Sequence, residues 1–138
     1  MANELDFPHG FPVTLEFSIT DLAQNGTTDA AMQNGNDGFR VPANYEFHPV
    51  MIMVHGNANV TAESATAKVT DDGTELTYGP EAPVNTTNNV HQTGLQRVGV
   101  EPVAAGAIVG ASMTATSSFT PNGSVDYDIT VSGVLLPA

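Results

Sequence analysis

At 138 residues and 14.3 kDa the chain is long enough for one domain that buries its own core without covalent or metal staples. Three strong cations, Arg40, Lys68 and Arg97, face 15 carboxylates for a formal charge of −12, which excludes the clustered Lys and Arg that nucleic acid binding requires. There is no cysteine, no apolar run near the ~20 residues of a membrane span, and no basic start in Met1-Ala2-Asn3-Glu4, so the expectation is a protein made in a cytoplasm and used without export, with no membrane partner.

Residues 1–10 read as an extended arm, because Pro8, Gly10 and Pro12 break any regular element. A strand follows over residues 11–20, with Val13, Leu15, Phe17 and Ile19 alternating against Thr14, Glu16, Ser18 and Thr20. Residues 21–38 form a long polar loop with turn signals at Asn25-Gly26 and Asn34-Gly35, and with a helical turn expected over 29–33. A short edge strand is expected over 39–42. Residues 46–55 form a strand whose centre, Val50-Met51-Ile52-Met53-Val54, is apolar on both faces, as in a strand covered on both sides. Pro49 and Gly56 bracket a run too short for a helix.

Residues 64–70 return to alternation, with Ala65, Ala67 and Val69 inward. Asp71-Asp72-Gly73 is a turn into a short strand over 75–78, and 79–93 is a second long loop. Strands are expected over 96–100 and 108–116, the second with Val109, Ala111, Met113 and Ala115 on one face. Pro121-Asn122-Gly123 then turns the chain into the last strand, 124–135, whose apolar face is Val125, Tyr127, Ile129, Val131, Gly133 and Leu135. The fold class is therefore all-β: a single-domain antiparallel β-sandwich or jelly-roll-like barrel over residues 1–138, with two long loops and an N-terminal arm.

The search for chemistry returns little. The histidines are His9, His48, His55 and His91; no two have the i, i+2 spacing that two metal ligands on one strand require. His48 and His55, seven apart, fall on opposite faces of a straight strand. Gly110-Ala111-Ser112 is the nearest approach to a nucleophile elbow and lies inside a strand. Asn34-Gly35-Asn36-Asp37-Gly38 and Asp71-Asp72-Gly73 cluster oxygens that suit a structural calcium, and the same residues suit tight turns. The triplets at Asn25, Asn59, Asn85 and Asn122 mean nothing for glycosylation without export. No catalytic, cofactor-binding or metal-ligating residue is assigned, no cofactor is expected, and the chain reads as a non-enzyme.

Several stretches taken together resemble small capsid decoration (cement) proteins of tailed bacteriophages. They are the segment opening Arg40-Val41-Pro42, the two-sided strand with its Gly56-Asn57-Ala58-Asn59-Val60 continuation, and the alternating strand at 65–70. Gly73-Thr74-Glu75-Leu76, Gly79-Pro80-Glu81-Ala82, Val103-Ala104-Ala105-Gly106 and Val134-Leu135-Leu136-Pro137 complete the likeness, which spans residues 40–138. The resemblance implies a jelly-roll-like fold and homotrimers on the exterior of an icosahedral head, with the major capsid protein as partner. It also implies that the shell is stabilised against internal DNA pressure. The alternative is a carbohydrate-binding or adhesin-type β-module on a tail fibre or cell surface. That module would need exposed aromatic rings, and the chain has no Trp and only Tyr45, Tyr78 and Tyr127. A cupin-like enzyme comes third, for want of a histidine cluster.

Overall fold

The computed structural model describes residues 10–32, 34–56, 65–84, 91–95, 99–117 and 125–138. In chain order its strands are β1 (Phe11–Ile19), β2 (Gly26–Asp29), β3 (Ala31–Met32), β4 (Phe39–Arg40), β5 (Tyr45–Gly56) and β6 (Ala65–Asp71). They continue with β7 (Thr74–Glu75), β8 (Glu81–Val84), β9 (His91–Leu95), β10 (Ile108–Ala115) and β11 (Tyr127–Pro137). No helix occurs among the described residues. The strands form two antiparallel sheets, one ordered β3-β1-β11-β5-β9, the other β2-β10-β6-β7 with β4 on β10 and β8 on β6. The protein is a β-sandwich.

Alternation decides which side of each strand is dry. Leu15, Phe17 and Ile19 of β1 meet Ile52 and Val54 of β5 and Tyr127, Ile129 and Val131 of β11 in one apolar cluster. The second sheet adds Ala65, Ala67 and Val69 from β6 and Val109, Ala111, Met113 and Ala115 from β10. Each fully buried large side chain contributes about 1.5–3 kcal/mol. β1 pairs with β11 along its whole length, from Phe11 opposite Leu135 to Ile19 opposite Tyr127. Two inward glycines permit close approach. A Cβ on Gly133 would run into the His48 carbonyl and the Phe47 ring, and one on Gly94 into the Glu81 backbone, where β9 of one sheet meets β8 of the other.

Four expectations need correction. Residues 29–33 form no helical turn: β2 joins the second sheet and β3 the first, and buried Ala30, whose N–H donates to Ala111 O at 2.8 Å, carries the chain across. Thr27 and Thr28 suit the edge of β10 better than a helix, because β-branched side chains fit a pleated surface. The loop over 79–93 contains β8 and the start of β9; Pro83 hid β8, yet proline is admissible on an edge strand. The expected strand over 75–78 shrinks to Thr74–Glu75, after a two-residue turn whose Asp72 and Gly73 both have positive φ (48° and 86°). The strand expected over 96–100 does not take in Gly99 or Val100, and β9 precedes it at His91–Leu95; positions 96–98 lie outside the described residues, as do the arm at 1–9 and the turn at 121–123.

β5 explains the fifth difference. Its register against β11 passes from Met51 opposite Ser132 to Pro49 opposite Gly133, so Val50 is an extra residue, a β-bulge. The bulge inverts the inward phase from Phe47 and Pro49 to Ile52 and Val54. The run Val50 to Val54 is therefore not covered on both sides: Ile52 and Val54 are fully buried, while Val50, Met51 and Met53 remain half-exposed.

Candidate interaction surface

The outer face of the five-stranded sheet is built by the residues that alternate with the core. Met51 lies opposite Ser132 on β11 and Leu95 on β9; Met53 lies opposite Thr130 and Thr93. Beyond the bulge, Val134 lies opposite His48 and Pro12, and Leu136 opposite Glu46. Leu95 is 60% exposed, and Val50, Met51, Met53, Val134 and Leu136 are half-buried. This is an apolar stripe on the wet side of a sheet, where Thr and Ser would suffice for solubility. Its charged margin is Glu16, Glu46 and Asp128, with His48 Nε2 2.9 Å from Glu46 Oε1. Arg40 and Lys68 both lie on the other sheet.

The outer face of the second sheet has the opposite character. Thr27 and Thr114 share a hydroxyl hydrogen bond of 2.8 Å, and Thr114 Oγ1 donates to Glu75 Oε1 at 3.0 Å. Lys68 Nζ lies 3.5 Å from Glu75 and 3.6 Å from Glu81. Ser112 and Thr70 on this face are buried, at 1% and 4% exposure. At one end Asp29, Asp37 and Asp72 line a cleft of about 370 Å³ with Thr70 and Gly110. Burial, the neighbouring Asp72 and Glu101 raise the carboxyl pKa of Asp71 above its ordinary value.

The residues singled out from the sequence fall as follows. The two oxygen-rich turns do converge, since Asp37 and Asp72 line the same cleft. One side-chain oxygen of each turn is engaged by backbone: Asp72 Oδ1 accepts from Ile108 N at 2.8 Å, and Asn34 Oδ1 from Asn36 N at 3.0 Å. Among the described residues no three His, Asp or Glu side chains gather as a metal needs. Ser112 has an unpartnered Oγ inside β10, on the opposite sheet from His48 and His55. The Val50 bulge puts His48 and His55 on the same outer face rather than on opposite faces, because an inserted residue reverses the parity of a seven-residue spacing. Asn25 is exposed in its turn at φ 55°; His9, Asn59, Asn85 and Asn122 lie outside the described residues. Tyr127, read as facing the core, is 2% exposed, and burial pushes its pKa up to about 12.

No family model matches the chain, and no curated protein matches it. Among solved structures it is similar to a chain of the acidic stable capsid structure of Helicobacter pylori bacteriophage KHP30. The TM-score is 0.52 at 14% identity, over 94% of this chain and 91% of that one. The likeness is one of fold. It runs nearly end to end in both chains, so it concerns the whole sandwich and not a shared hairpin.

Proposed function

We propose that this chain is a structural virion protein that decorates a tailed-phage capsid. In this reading it binds the outer surface of the major capsid protein shell as a homotrimer and stabilises it. The observation that carries the reading is the near end-to-end likeness to a chain of a phage capsid structure; the inference is by analogy of fold. The apolar stripe on the five-stranded sheet supports it, because an exposed apolar patch rimmed by polar residues marks a surface that meets another protein. Each subunit carries −12, so association of copies is opposed by repulsion and must draw on apolar and backbone contacts. The adhesin alternative needs aromatic platforms, and among the described residues the only exposed large aromatic is Tyr78.

Co-sedimentation with cognate heads tests the reading, with light scattering on the free chain to give its mass. The wild-type chain should sediment with heads, and a triple variant Met51→Lys, Met53→Lys, Leu95→Lys should remain folded in solution without binding. A chain that ignores its cognate heads and binds a glycan array would transfer the case to the adhesin reading.

A further inference from the structure

The outer face of the second sheet ends in a cleft rich in acceptors and without a cation. Asp29 at the end of β2, Asp37 ahead of β4 and Asp72 in the β6–β7 turn bring exposed carboxylates to one opening of about 370 Å³. Among the described residues none of the three has an ion-pair partner: Arg40 donates to Gly106 O, and Lys68 lies with Glu75 and Glu81. The floor adds oxygen of another kind. Thr70, opposite Gly110, lines the cleft at 4% exposure, and its hydroxyl has no hydrogen-bond partner among the described residues. That hydroxyl points over Gly110, where a Cβ would stand 2.7 Å from Thr70 Oγ1 and 3.4 Å from the Asp37 carbonyl oxygen. Two residues along β10, opposite Asp29, Ser112 holds a second buried hydroxyl without a partner. An unpaired buried hydroxyl is unfavourable, and a donor entering the cleft relieves it.

We propose that this cleft binds the guanidinium group of an arginine side chain presented by a partner protein. A bare calcium ion needs its oxygens within about 2.3–2.6 Å of one point. No three acidic side chains among the described residues gather that closely. A guanidinium spreads five N–H donors over a planar fork and carries no acceptor, so it can meet separated carboxylates and the Thr70 hydroxyl together. Ile108, half-buried in the wall, offers the methylene stem an apolar surface. The volume is at the small end of ligand pockets, which run from about 300 to 1,000 Å³, and suits one side chain. The net charge of −12 favours approach of a cation. The site is independent of any capsid role.

Titration of the isotope-labelled full chain with N-acetyl-arginine methylamide, followed by amide NMR shifts, tests the proposal. Saturable shifts should appear at Thr70, Gly73 and Gly110 with one shared dissociation constant, and binding should weaken as salt rises. The matching lysine methylamide and spermidine should bind more weakly, because an ammonium lacks the fork. Asp29→Asn, Asp37→Asn and Asp72→Asn should each weaken binding about threefold; Asp72→Asn keeps an Oδ1 for the Ile108 N–H. Glu16→Gln, which removes the same charge from the other sheet, should leave binding unchanged. Thr70→Val should weaken binding without lowering the melting temperature, whereas a merely structural threonine would show the reverse. Absence of saturable shifts, tighter binding of the lysine probe or spermidine, or wild-type affinity in any of the three aspartate variants overturns the site. Saturation of the same amides by CaCl₂ at lower concentration than the arginine probe overturns it in favour of a metal ion.

Discussion

The two outer faces of the sandwich depart from an ordinary wet surface in opposite directions. The five-stranded sheet leaves Met51, Met53, Val134, Leu136 and Leu95 partly or largely exposed. The second sheet buries Ser112 and Thr70 and crosses its surface with a Thr27–Thr114–Glu75 hydrogen-bond chain, extended by Lys68 to Glu81. The second arrangement satisfies polar groups internally, at the cost of fixing long side chains. The first leaves apolar area in water, which lowers free energy only when something covers it. One face satisfies its polar groups within the chain; the other leaves apolar side chains in water.

The comparison is broken most severely from within. Ile129→Asp should unfold the protein at room temperature, a loss of about 4–5 kcal/mol or more, because it buries a charge with no partner behind the apolar face. Asp128→Asn, the next residue and on the wet side, should change stability by less than about 0.5 kcal/mol. Chemical denaturation reads both, and equal effects would contradict the inside–outside assignment of β11.

Gly133→Ala should cost about 1–3 kcal/mol by the same measurement, since the added methyl meets the His48 carbonyl and Phe47 ring at the bulge. If it costs nothing, β5 and β11 are not in the bulged register that puts Met51 and Met53 outside. Swapping character between faces gives a smaller and more selective effect. Met51→Lys with Met53→Lys should leave denaturation midpoints nearly unchanged and abolish binding to heads. Lys68→Met should cost at most about 1 kcal/mol, the ceiling for an exposed ion pair, and leave head binding intact.

Tyr127 gives the smallest effect at neutral pH and a clear one in alkali. Its hydroxyl is buried with no partner, so Tyr127→Phe should be neutral or stabilising by up to about 1 kcal/mol. Its raised pKa means that the unfolded chain gives up the phenolic proton first. Stability contributed by neutral Tyr127 is therefore complete below the ordinary value of about 10 and is lost as pH rises toward about 12. That loss approaches 1.4 kcal/mol per pH unit in this window. Melts of wild type and Tyr127→Phe between pH 9 and about 12 should diverge by that slope, and parallel curves would contradict the burial.

The sequence by itself determined the class and most of the core. A period of two in residues 11–20, 64–70, 108–116 and 124–135 names the inward side chains, because a pleat permits no other assignment once one face is apolar. Asp72-Gly73 is equally local, since a tight hairpin needs positive φ and those residues supply it. Tertiary structure decided what depends on pairing between distant segments. Nothing near Val50 announces that Ser132 and Gly133 will be opposed by one residue too many, and that insertion alone moves Met51, Met53 and His55 to the side that His48 already faces. Nor does any spacing along the chain put β9 beside β5 and β5 beside β11, because a sheet's neighbours across strands are set by registers that no single strand encodes.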